Sequence, residues 1–118
     1  MPQKAQVTLF LAEFKELASC CFAFVERGKC LDTIARLGIT IEQAKEEILE
    51  LTYEDYYKGP ETDTERSGYF WTFGKIINGE EIFIRLKIVP CLKLAKCQSF
   101  HIADRPIDYP YKGRRREQ

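Results

Sequence analysis

Asn78-Gly79 stands between two segments, Tyr69 to Ile77 and Glu80 to Val89, in which apolar residues recur at alternate positions. A two-residue Asn-Gly turn between such segments leaves them little choice but a β-hairpin. The turn also sets the register, because Ile77 must lie opposite Glu80 and every later pair follows by counting. One face then carries Trp71, Phe73, Ile84 and Leu86, an apolar surface for helices to cover. The other carries Phe70, Thr72, Gly74, Phe83, Arg85 and Lys87, with Thr72 opposite Arg85 and Phe70 opposite Lys87.

Helical spacing dominates the N-terminal half. Phe10, Phe14 and Leu17, with Leu11 and Ala18 beside them, predict a helix near residues 7 to 19. The short aromatic run Cys21 to Val25 reads as a strand. Arg27-Gly28 turns the chain into a second helix bearing Leu31, Ile34 and Ala35, which Gly38 stops. Thr40 and Gln43 form a capping box for a third helix with Ile41, Ala44, Ile48 and Leu51 in one stripe. Thr52 caps a further short turn that Gly59-Pro60 ends, and the polar stretch Gly59 to Gly68 reads as an exposed loop. Beyond Pro90, Leu94 to His101 predicts another strand at or near the far side of the meander. The expectation is an α+β domain, with N-terminal helices packed on one face of a small antiparallel sheet. It spans residues 1–118 as one unit with a core over about 7–111, leaving 1–6 and 112–118 as flexible tails.

Global properties narrow the class. A chain of 118 residues with 45% hydrophobic side chains can bury a core without staples. The longest apolar run, Leu17 to Val25, is far short of the roughly 20 residues a membrane helix needs. The N-terminus lacks the pattern of a secretory signal, so a cytoplasmic protein without a membrane partner is expected. Cys20, Cys21, Cys30, Cys91 and Cys97 contain no C-x-x-C pair, which favours free, mostly buried thiols over a disulfide framework or a zinc site. Net charge is zero, yet residues up to Glu81 hold 9 basic against 15 acidic groups and the remainder 9 against 3. The strand half is thus suited to an anionic partner.

Three residues attract chemical interest. Arg85, with Lys87, shares a face with Phe70 and Phe83, so cations for phosphates adjoin platforms for bases; a solvated outer sheet face is the alternative. His101, the sole histidine, can serve as a general acid or base or be merely structural. Lys58, after two tyrosines and before Gly59-Pro60, can reach a phosphate from a fixed backbone or be an ordinary surface lysine. Strict alternation groups His101 with Ala95, Cys97 and Ser99, and Phe100 with Lys96 and Gln98. Bringing His101 beside the cations therefore requires a bulge or a site at the end of the strand. No metal site and no cofactor is expected.

Leu37-Gly38-Ile39-Thr40 with the third helix, then Leu51-Thr52-Tyr53-Glu54-Asp55-Tyr56-Tyr57-Lys58-Gly59-Pro60-Glu61, then Ile82 to Lys87 with Gln98-Ser99-Phe100-His101, occur in that order. Together they resemble the MqsR (motility quorum-sensing regulator) family of bacterial toxin endoribonucleases, over about residues 10 to 102. The resemblance implies a RelE-like microbial RNase fold, metal-independent cleavage of messenger RNA, and inhibition by a cognate antitoxin. Its site falls on Lys58, Thr72, Phe83, Arg85 and His101; joined to the reading of the residues above, catalysis is expected of Lys58, Arg85 and His101, and RNA contacts of Tyr57, Phe70, Thr72, Phe83 and Lys87. Lys58 matches the family lysine and Arg85 a family basic position. Thr72, Phe83 and His101 stand where the best-known branch has glutamine, tyrosine and lysine. A non-catalytic RNA-binding or antitoxin-binding module of the same fold is the other reading, and a homodimer is left open.

Overall fold

The computed structural model describes residues 2–25 and 28–112. Arg27 of the expected turn, and Arg114, Arg115 and Arg116 of the expected tail, lie outside the described residues. The chain folds as α+β, with helices α1 (Lys4–Ala18), α2 (Gly28–Leu37) and α3 (Ile41–Leu49). The strands are β1 (Phe22–Phe24), β2 (Tyr56–Thr62), β3 (Tyr69–Ile77), β4 (Glu80–Val89) and β5 (Leu94–Ile102), in one sheet of order β1-β5-β4-β3-β2.

The hairpin forms in the register counted from its turn: Ile77 pairs with Glu80, Thr72 with Arg85 and Phe70 with Lys87. Asn78 and Gly79 both adopt positive φ, at 49° and 83°, the twist that suits a two-residue connection between right-twisted strands. The inner face meets α1, whose Val7, Phe10, Leu11, Phe14 and Ala18 are buried against Phe73, Ile84, Leu86 and Phe100. Phe10 stacks on Trp71 with ring centroids 4.6 Å apart. Such a pair contributes about 0.5–1.5 kcal/mol beyond the area it buries. Thr40 and Gln43 form the expected reciprocal cap at the start of α3, and Gly38, at φ 71°, follows α2 where the chain leaves the helix.

Four expectations need correction. The sheet is mixed, not antiparallel, because β1 runs parallel to β5 with Phe22 opposite Ala95; α2, α3 and the three strands β2, β3 and β4 intervene between them in the chain. Residues 59–62 of the expected loop are strand, since β2 pairs with β3 through Lys58, Glu61 and Thr62. Gly59-Pro60 lies within that strand as a cis peptide. Helix α1 starts at Lys4, inside the expected tail, because Gln3 and Gln6 form a capping box there. Of the cysteines only Cys30 and Cys97 are buried, while Cys20, Cys21 and Cys91 are exposed at turns and helix ends.

Candidate functional site

The outer face of the sheet is laid out in rungs. Gly74, Phe83 and His101 lie side by side across β3, β4 and β5. The next rung is Lys58, Thr72, Arg85 and Ser99, and the one beyond is Glu61, Phe70, Lys87 and Lys96. Two irregularities assemble this pattern. In β2, Tyr56 pairs with Phe73 but Lys58 with Thr72, so one extra residue, Tyr57, turns the chain over. Tyr56 therefore enters the core while Lys58 joins the outer face. In β5, Arg85 pairs with Ser99 and Leu86 with Cys97, so Gln98 is an unopposed bulge residue. The bulge carries Cys97 and Ala95 inward and Lys96, Ser99 and His101 outward, which resolves the conflict that strict alternation left.

Tyr57, Lys58, Phe83, Arg85, Ser99 and His101 line one cleft of about 390 Å³, whose rim is completed by Asp104, Arg105 and Ile107. The rim comes from the segment after β5, which folds back over the sheet. Gly74 makes room for it: a Cβ there would lie 2.4 Å from Ile107 Cδ1 and 2.8 Å from the Tyr109 hydroxyl. Glu81 ties the segment down by accepting from the Ile107 N–H at 3.1 Å and from the Tyr109 hydroxyl at 2.7 Å. Burial, and next the bond to Glu81, push the Tyr109 phenol well above its ordinary range, so it stays a donor.

His101 stacks on Phe83 at 4.9 Å with the ring planes 16° apart. Its Nδ1 lies 2.9 Å from the carbonyl oxygen of Ile102. A carbonyl only accepts, so Nδ1 donates, and in the neutral ring Nε2 is the nitrogen with the lone pair. The Arg85 guanidinium rests over the Phe70 ring, 4.3 Å from its centroid. Lys58 lies 5.3 Å from the Tyr57 ring centroid and 3.8 Å from Glu61, with its side chain 45% exposed. An exposed pair of that kind is weak and readily exchanged for another anion.

Lys58, Arg85, His101, Tyr57 and Phe83 are thus brought together, and three expected RNA contacts are not open to a ligand. Lys87 is 2% exposed and donates to Asp63 at 2.5 Å beneath the β2–β3 connection. Alternation had assigned it to the correct face, but a carboxylate covers it. Phe70 is buried and topped by Arg85, so it supports the guanidinium rather than offering a free ring. Thr72 is fully buried between Lys58 and Arg85, and its hydroxyl has no hydrogen-bond partner among the described residues.

Ser99, Asp104 and Arg105 join the cleft without having been anticipated as site residues. The signal for the last two was Gly74, a glycine inside a strand, which often marks the close approach of another segment. Among the described residues no cluster of three or more metal-ligating side chains occurs, and no helix is long and apolar enough to cross a membrane. No protein-family model matches the chain, and neither a curated protein nor a solved structure is significantly similar to it.

Proposed function

We propose that this chain is an endoribonuclease of the toxin type, cleaving messenger RNA on the outer face of its sheet and restrained by a cognate antitoxin. One observation carries the reading: Lys58, Arg85 and His101, from three different strands, line a single cleft. Its cations match a phosphate, its stacked Phe83–His101 pair matches a base, and the Nδ1 bond of its histidine makes Nε2 the basic nitrogen of the neutral ring. The MqsR-like segments match Lys58 in type and Arg85 as a basic position, and they put His101 where that family has a lysine.

The chemistry follows from those groups. His101 Nε2 takes the proton of a ribose 2′-hydroxyl, whose oxygen attacks the adjacent phosphorus. Arg85 neutralises charge on the phosphorane. The P–O5′ bond breaks, and the departing oxygen takes a proton from the Lys58 ammonium, leaving a 2′,3′-cyclic phosphate and a free 5′-hydroxyl. The histidine is the pivot of the scheme because its Nδ1 is already committed to Ile102.

The test is cleavage of single-stranded RNA in EDTA with detection of the cyclic phosphate end. The parent should cut, while His101→Ala and Arg85→Ala should each lose about 10²- to 10⁴-fold in rate. Cleavage abolished by EDTA, or unchanged in both variants, refutes the mechanism. A module that binds without cutting is the competing reading, favoured by the uncharged Thr72 and Phe83 at the centre of the face. It predicts salt-dependent RNA binding with intact RNA recovered.

A further inference from the structure

Arg85 lines a second cleft of about 390 Å³ on its other side, walled by Thr62, Thr64, Glu65, Arg66, Lys96 and Gln98. This cleft is nearly all polar side chain, and a carboxylate, three cations, two hydroxyls and an amide converge on it. Its floor is the Phe70–Arg85 stack. Asp63 also borders it, but that carboxylate is spoken for by Lys87 and by the N–H groups of Glu65 and Arg66.

Gln98 is the residue that gives the cleft its meaning. It is the unopposed residue of the β5 bulge: Ser99 faces Arg85, Cys97 faces Leu86, and Gln98 faces nothing. Removing it would leave a regular ladder with the same pairs on the same faces. In this chain the bulge sets Ser99 and His101 outward and Cys97 inward, and it also leaves the Gln98 amide, outside the ladder pairs, on the wall of the second cleft. That amide is half-buried and makes no hydrogen bond among the described residues. A bulge next to a site commonly serves to aim a side chain.

We infer that this second cleft holds the base of a neighbouring nucleotide and that Gln98 reads its edge, making Gln98 the residue that sets base preference. The inference rests on the reading of the first cleft as an RNA site. A phosphate held by Arg85 has a nucleotide on either side; one enters the cleft of His101, and the other enters the cleft of Gln98. A carboxamide presents a donor and an acceptor side by side, which is the pattern found on base edges, and single-stranded bases are read in this way. The open side of the Arg85 guanidinium provides a plane for the same base to stack on.

The experiment measures binding of 2′-O-methyl pentanucleotides, which cannot be cleaved, by fluorescence anisotropy in EDTA. Each probe carries A, C, G or U at one position of a constant background, and each position is scanned in turn. The parent should prefer one base at one position by about tenfold, the value of a modest bidentate contact. Gln98→Ala, and separately deletion of Gln98, should reduce that preference to within about twofold while leaving affinity for the poorest base unchanged. Arg85→Ala should weaken all probes alike. Preference that survives in both Gln98 variants, or is absent from the parent, overturns the inference. The nuclease reading is judged apart, on cleavage of unmodified RNA: a parent that discriminates bases but does not cut loses the nuclease and keeps the base-reading cleft. A parent that binds none of the probes overturns the inference, while cleavage of unmodified RNA still decides the nuclease.

Discussion

Replacing Thr72 by valine should make the protein more stable. Thr72 is fully buried in the middle strand pairing of the outer face, and its hydroxyl has no partner among the described residues. Burying a hydroxyl without a hydrogen bond costs about 1–3 kcal/mol on the scale of protein substitutions. Valine has the same branched shape and suits a strand equally well, so the exchange removes that cost without opening a cavity. A methyl in place of the hydroxyl adds further apolar burial of about 0.8 kcal/mol. Part of the gain is lost because a methyl is bulkier than a hydroxyl between two fixed strands. The expected net is about 1 kcal/mol, or roughly 4 °C in Tm for a domain of this size. Urea unfolding followed by far-UV circular dichroism should show a higher midpoint at unchanged slope. Thr72→Ser is the control, since it keeps the hydroxyl and removes the methyl, and it should lose about 1 kcal/mol. If Thr72→Val is less stable than the parent, the hydroxyl has a partner in solution and the reasoning fails. Thr72 lies between Lys58 and Arg85 but is fully buried, so its hydroxyl is closed to a ligand. The valine variant should accordingly bind RNA as the parent does while melting higher.

Other perturbations have equally definite outcomes. Lys87, by hydrogen bond, and then the Glu65 N–H hold the Asp63 carboxyl down from 3.8 to about 2. A carboxyl with a folded pKa below its unfolded value stabilises above the unfolded value and ceases to do so as pH falls through the folded one. The stability difference between the parent and Asp63→Asn should therefore hold steady above pH of about 4 and shrink between about 4 and 2, as urea titrations across that range will show. Constant separation down to pH of about 2 would count against the Asp63–Lys87 bond. Gly74→Ala places a Cβ 2.4 Å from Ile107 Cδ1; it should cost about 1–3 kcal/mol, and limited proteolysis should cut the segment after β5 faster. Tyr109→Phe, which removes the hydroxyl that Glu81 accepts from, should destabilise by about 1 kcal/mol in the same assay.

Much of the site could be read in the hairpin, because an Asn-Gly turn leaves one register and alternation then assigns every residue to a face. What alternation cannot supply is depth. Lys87 and Phe70 lie on the face that counting gave them, yet both are buried, one under Asp63 and one under Arg85. Nor can it place an extra residue. The bulges at Tyr57 and Gln98 depend on the partner strands, and without them Lys58 and His101 would not share a face. Strand β2 was read as a loop because Gly59-Pro60 and its polar neighbours are turn formers. It is a strand because Gly59, at φ 117°, lets the backbone approach Phe70 so closely that a Cβ would lie 2.7 Å from its carbonyl oxygen. The helices were the easier part, since their caps are written in adjacent residues.

The two outermost strands determine how another protein can hold this one. Strand β1 offers only three residues, and β2 is broken by two register shifts and has Pro60 in its span. Neither presents a long flat row of amides on which a foreign strand could build a ladder. A partner must therefore grip side chains, so surface substitutions alone should be able to abolish its binding. The same two rims spare the protein from stacking edge to edge with its own copies when it is made in quantity.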